Sequence, residues 1–241
     1  MIQFKNISVS VDKKSILKDV TFDLKPGQIT ALMGPNGSGK STIALTLAGH
    51  PNYLVTSGKI ILDKKDISKF SPDKRANLGI FLSNQSPVAI PGLNVKTFLW
   101  QIFKKFHPDQ KTSLSEFRSW LAFESDTLGI KSELLDRSLN DGFSGGERKK
   151  MEVLQMLVSN PKYLILDEID SGLDVDALKT MSLRIQKLAQ DLNSATLIIT
   201  HSPKILEYLK PDHVLVLDKG QIKTSGDVSL VQKIITSCFN S

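Results

Sequence analysis

The sequence predicts an α/β fold with an antiparallel β layer, a central, mostly parallel sheet core and a helical insert. Three patterns carry that expectation. Between Ile2 and Leu24 apolar and polar residues mostly alternate, as half-buried antiparallel strands require. Later runs at Leu78–Leu82, Tyr163–Leu166, Thr196–Ile199 and Val214–Leu217 are short, nearly all apolar and bounded by polar residues, as in strands covered on both faces. Between the first two of these runs the spacing changes to Phe98, Leu99, Ile102, Phe103, Phe106 and then Leu114, Phe117, Leu121, which places apolar residues on helix faces.

Taken in order, the opening strands break near Asp12-Lys13-Lys14 and Lys25-Pro26-Gly27. Ile29–Met33 reads as a buried strand leading through a glycine-rich turn into a helix from Ser41 to Ala48 that ends near Gly49. A mainly helical insert from about Ser86 to Asn160 then interrupts the sheet. The expected organisation is a discontinuous core, residues 1–85 and 161–241, around a helical subdomain, residues 86–160. Beyond it, Leu178, Met181, Ile185, Leu188 and Leu192 repeat as a core-facing helical stripe. Val214–Leu217 continues through Asp218-Lys219-Gly220-Gln221 into Ile222, a hairpin signal.

At 241 residues, with 40% hydrophobic and 23% charged residues, the chain can bury a sizeable core, which excludes disordered, collagen-like and disulfide-scaffold classes. The net charge of +6 is spread along the chain, so solubility explains most of it and no nucleic-acid partner is expected. The single cysteine, Cys238, can neither close an internal disulfide nor alone supply a zinc or iron–sulfur ligand set, and a reducing, cytoplasmic location is expected. Met1–Val11 lacks the basic-then-apolar pattern of a leader, and no segment approaches the roughly 18 apolar residues of a membrane span.

Gly34-Pro35-Asn36-Gly37-Ser38-Gly39-Lys40-Ser41, followed by Thr42, matches the phosphate-binding loop, and it lies after a buried strand and opens a helix. Glycines let backbone N–H groups turn inward around phosphate oxygens, and the helix N-terminus adds partial positive charge. Lys40 suits the β- and γ-phosphates, and the Ser41 hydroxyl suits Mg²⁺. Asp167-Glu168 places two acids at the carboxyl end of a buried strand, where α/β sheets bind ligands. Asp167 fits a Mg²⁺ ligand, direct or through water, and Glu168 fits a general base for the attacking water.

Phe143-Ser144-Gly145-Gly146-Glu147 narrows the choice among phosphate-loop enzymes, because it is similar to the Leu-Ser-Gly-Gly-Gln signature of the ATP-binding-cassette (ABC) ATPases. The motif order also resembles that family: phosphate loop, Gln85 after a strand, signature, Asp167-Glu168, Ser171-Gly172-Leu173-Asp174, and His201 after a strand. The resemblance implies that Gln85 is the Q-loop glutamine, a Mg²⁺ ligand that couples metal and water to the insert. It implies that Asp174 belongs to the D-loop, that His201 contacts the γ-phosphate, and that Ser144, Gly145, Gly146 and Glu147 serve the site of a second copy. Adenine stacks on an aromatic of an early strand in most cassettes; here Val9-Ser10-Val11 offers only Val11, and ATP is assigned from the family.

One branch is matched along nearly the whole chain, the SufC-type ATPases of SUF iron–sulfur cluster assembly. Residues 48–58 (Ala-Gly-His-Pro-Asn-Tyr-Leu-Val-Thr-Ser-Gly), Pro87–Gly92, Asn140–Glu147, Leu154–Met156 and Asp170–Leu178 carry that resemblance. The sequence departs from the branch at Asn84, Ser86, Ala89 and Ser202. The resemblance implies a Mg²⁺-dependent ATPase that docks on SufB- and SufD-type scaffolds and pairs with itself when ATP is bound. The alternative is a nucleotide-binding subunit of a membrane transporter, with the same ATP residues and a different docking surface.

Overall fold

A computed structural model describes residues 1–83, 87–200 and 203–231. The chain opens with the hairpin of β1 (Ile2–Val11) and β2 (Lys14–Leu24), followed by β3 (Ile29–Met33) and α1 (Lys40–Ala48). Next come β4 (Leu54–Leu62), the two-residue β5 (Lys65–Asp66), α2 (Pro72–Asn77) and β6 (Ile80–Ser83). The middle holds β7 (Ile90–Asn94), α3 (Val95–Phe106), α4 (Leu114–Thr127), β8 (Ser138–Leu139) and α5 (Gly145–Ser159). Then follow β9 (Tyr163–Asp167), α6 (Val175–Asp191), β10 (Ala195–Ile199), α7 (Pro203–Leu209), β11 (His213–Asp218) and β12 (Gln221–Gly226).

Two main sheets result. β2-β1-β4-β5 is antiparallel, and β12-β11-β3-β10-β9-β6 is parallel except for the β11–β12 hairpin at its edge. The central strands are nearly all apolar because both faces are covered and side chains alternate between them. Tyr163 and Ile165 of β9, with Leu197 and Ile199 of β10, join α1 and the antiparallel sheet in one apolar cluster. Leu164, Leu166 and Ile198 face the opposite way, into the cluster built by the helices of the middle and end of the chain.

Four details differ from the sequence expectation. The insert is not only helical: β7 and β8 form a two-stranded ribbon, paired at Ile90–Leu139 and Asn94–Ser138, too short to leave a periodic signal. β4 was not foreseen, because Leu54–Lys59 is largely exposed and burial begins only at Ile60 and Leu62. Leu78 and Gly79 precede the strand expected to contain them, Leu78 as the C-cap of α2 and Gly79 at a positive φ of 90°. Leu192, expected on a core-facing stripe, is 36% exposed at the C-cap of α6.

The end of α1 is clamped by a side chain whose role has no sequence signal. Arg75 is 2% exposed and donates to four main-chain carbonyl groups: Thr46 (2.7 Å), Leu47 (3.0 Å), Phe70 (2.9 Å) and Ser68 (2.9 Å). Its guanidinium satisfies orphan carbonyls at the carboxyl end of α1, where a cation is favoured. Burial lowers its pKa to about 10.

Candidate active site

β3, buried along its whole length, delivers the chain into the phosphate loop. Two glycines are required by space as well as by angle. A Cβ at Gly34 (φ 153°) would lie 2.0 Å from the Leu217 carbonyl oxygen, and one at Gly39 (φ 108°) 2.8 Å from Leu17 Cδ2. The loop is tied to the edge hairpin by the Gly220 amide, which donates to Ser38 O at 2.9 Å. At the start of α1, Gly39 supplies no side-chain cap and the first turn holds no acid. Among the described residues no side chain caps this helix start, which suits it to an anion.

Lys40 is 6% exposed and donates to the carbonyls of Gly34 (2.8 Å) and Pro35 (3.0 Å). Burial lowers its pKa, while the negative charges of Glu168 and Asp167 act in the other direction. Those acids are therefore neighbours of the loop, as strand order dictates: β9 and β3 flank β10 in the parallel sheet.

Asp167 ends β9 and is 5% exposed. Burial raises its pKa; the Ser41 hydroxyl hydrogen-bonded to it opposes the shift, Glu168 adds to it, and Lys40 opposes it. Its Oδ1 atom is buried without a hydrogen-bond partner. An orphaned carboxylate oxygen beside a hydroxyl is a hard oxygen donor set that fits Mg²⁺. Glu168 follows at a positive φ of 51°, a conformation that costs a non-glycine residue about 1 kcal/mol or more. Its amide donates to Ile199 O (2.9 Å), and its carbonyl accepts from Lys149 Nζ (2.7 Å). Lys149, 6% exposed on α5, also donates to the Ser171 hydroxyl.

Ser144 caps α5 through a reciprocal pair. Its hydroxyl accepts from the Glu147 amide (3.3 Å), and its amide donates to the Glu147 carboxylate (2.8 Å), which holds that carboxyl below its usual pKa. Ser144 and Gly145 are exposed; a Cβ on Gly145 would meet nothing within 4 Å, and one on Gly146 would meet only Leu173 Cδ2 at 3.6 Å. Asp174 caps α6, accepting from the Ala177 amide at 2.7 Å. Val11 sits at the tip of the β1–β2 hairpin, paired with Lys14, and Ile16 and Leu17 further along β2 lie against Gly39.

The structure thus brings Lys40, Ser41, Asp167 and Glu168 together in one chain and sets the turn from Ser144 to Glu147 at an exposed helix start. Gln85 and His201, with Asn84, Ser86 and Ser202, lie outside the described residues. Thr200, immediately before His201, donates to Asp170 at 3.1 Å. Lys149, whose ammonium holds the Glu168 carbonyl and Ser171, is not singled out by the sequence. Lys149 left one trace, a charge on the helix face shared with Glu152, Val153 and Met156.

The family model described as ABC transporter matches residues 17–171. The chain is 42% identical to "Probable ATP-dependent transporter SufC" of Escherichia coli (strain K12), over 97% of this chain and 95% of that protein. It is 41% identical to "Probable ATP-dependent transporter ycf16" of Antithamnion sp., over 97% and 94%. It is 43% identical to "Probable ABC transporter ATP-binding protein SpyM3_0208" of Streptococcus pyogenes serotype M3, over 97% and 91%. Among solved structures, a dimeric cassette, MJ0796 bound to ADP and Pi, superposes with a TM-score of 0.78 at 19% identity, over 95% of this chain and 99% of that one. That likeness shows the fold. A phosphate loop and paired acids on a cassette fold, together with kinship over nearly the full length, place this chain in the ABC transporter family as an ATPase homologous to SufC and the ycf16 proteins.

Proposed function

We propose that this chain is the Mg²⁺-dependent ATPase of an iron–sulfur cluster assembly complex, acting as a pair of cassettes on SufB- and SufD-type scaffold proteins in the cytoplasm. Kinship to SufC supports the assignment, and one structural observation supports a docking role. Val88, on the loop before β7, and Ile90, the first residue of β7, are 75% and 43% exposed. The Val88 carbonyl accepts from Asn140 Nδ2 at 3.0 Å, four residues before Ser144. A partner that covers this apolar loop therefore touches the segment that sets the signature turn. Among the described residues no helix is long and apolar enough to cross a membrane.

In the proposed site the loop from Gly34 to Thr42 wraps the phosphates and Lys40 neutralises β/γ charge, while Val11 meets adenine by apolar contact. Ser41, Asp167 and Gln85 would hold Mg²⁺, which supplies charge neutralisation to the phosphates when bound. Glu168 takes a proton from the attacking water and His201 contacts the γ-phosphate. Ser144, Gly145, Gly146 and Glu147 of a second copy close the site from the other side, with Asp174 near the junction. MJ0796, a neighbour in fold, is itself dimeric.

Native co-purification separates this reading from transport, which the streptococcal relatives' names suggest. Soluble scaffold chains are expected, and recovery of membrane subunits instead would overturn the assignment. The paired substitution Val88→Ser and Ile90→Ser should weaken capture of the scaffold at least ~10-fold while leaving ADP affinity within about 2-fold, since two buried apolar side chains contribute about 3 kcal/mol or more at an interface. Equal loss of both activities would contradict docking at this loop.

A further inference from the structure

The inward face of α5 carries two charges one turn apart, Lys149 and Glu152, 6% and 7% exposed. Lys149 reaches the Glu168 carbonyl and Ser171, just beyond β9. Glu152 reaches the adjacent strand: its Oε2 accepts a 3.0 Å hydrogen bond from the Ser83 hydroxyl, at the last residue of β6. Ser83 is itself 5% exposed and pairs with Leu166, directly before Asp167, in the parallel ladder. Lys149 is also surrounded by the acids Asp170, Glu152 and Glu168, whose charges favour its ammonium against burial. A single helix thus grips the carboxyl ends of two neighbouring strands and carries the signature turn at its own N-terminus. Burying a carboxylate and an ammonium near each other contributes little net stability.

We propose that Glu152 is a positioning residue for ATP hydrolysis: by binding Ser83 beside Lys149 it fixes where α5 stands against β6 and β9, and so where Ser144 meets the phosphates held by a second chain. This rests on the two-chain site proposed above. Nucleotide capture by residues 34–42 does not involve Glu152, whereas closure and turnover do. Hydrogen-bond partners that act as one unit give non-additive effects when both are changed.

The test uses the full chain in four forms: parent, Ser83→Ala, Glu152→Gln and the double variant. ADP affinity, steady-state ATPase rate and, on a Glu168→Gln background, ATP-dependent dimerisation are measured on each. The expected result is a roughly 10-fold or greater fall in kcat in either single variant, ADP affinity within about 2-fold of the parent, and a double variant no slower than the slower single one. The Glu168→Gln parent should dimerise with ATP, and adding Glu152→Gln should weaken that dimer by a similar factor. Unchanged kcat, multiplied effects in the double variant, or a parallel loss of ADP affinity in Ser83→Ala would overturn the proposal. If the Glu168→Gln parent does not dimerise, the two-chain site fails and takes this proposal with it. If it dimerises and Glu152→Gln dimerises equally well, the positioning role alone fails.

Discussion

Asp167, proposed above as a Mg²⁺ ligand, sits where burial opposes its charge. Its carboxyl is buried beside Ser41, with one oxygen orphaned and its pKa raised by burial. A raised carboxyl contributes stability fully below the unfolded value, about 3.9, and loses it as pH rises through the folded value. At neutral pH without metal the ionised form is therefore a liability. Asp167→Asn should raise the melting temperature of the nucleotide-free protein by about 2–4 °C for each 1 kcal/mol relieved, while Mg²⁺-dependent turnover falls at least ~100-fold. A lowered melting temperature by scanning calorimetry would contradict this account of the site. Glu168, proposed above as the base, has its main chain fixed by Ile199 and Lys149. Glu168→Gln should keep MgATP affinity within about 2-fold and reduce hydrolysis at least ~100-fold, since an amide preserves shape but accepts no proton. Loss of MgATP binding in a folded variant would instead make Glu168 chiefly a metal ligand.

At the scale of elements, what was legible follows how much apolar pattern each element needs. β3, β9 and β10 sit between two apolar layers and betray themselves as uninterrupted runs, and the β1–β2 hairpin shows as alternation. Gly34 and Gly39 stand out in the sequence for a different reason, because each answers to a steric demand that only glycine meets. β4 and the β7–β8 ribbon were not legible, since pairing between main chains leaves no mark on side chains that stay exposed. Contacts between distant segments were invisible for a related reason: Ser83 with Glu152, or Lys149 with Ser171, depends on which strand ends α5 crosses. Arg75 belongs to the same class, holding α1 to the segment before α2 through main-chain carbonyls that any sequence offers. Arg75→Lys should destabilise the fold by about 2–4 kcal/mol in urea unfolding, because one ammonium has three donors on a flexible stem and cannot span four carbonyl groups. A loss under about 0.5 kcal/mol would show that the clamp carries no stability.

For the whole molecule, the proposed site divides labour within one chain and between two. Each chain carries one sequence matching a phosphate loop, near Asp167 and Glu168, and one signature-like turn in which Gly145 opens onto free space at the exposed start of α5. A surface without steric contact at Gly145 and a capped, oriented helix N-terminus suit an anion carried by another copy, and a two-fold pair would complete two sites at once. The most direct measurement mixes two inactive variants, Lys40→Ala and Ser144→Arg, and follows ATP hydrolysis. In the mixed dimer both defects fall in one site and the other is intact, so random pairing should restore roughly a quarter of wild-type activity if the sites act independently, and less if they are coupled. Normal hydrolysis by Ser144→Arg alone, or no recovery from mixtures shown by crosslinking to contain mixed dimers, would contradict the two-chain site.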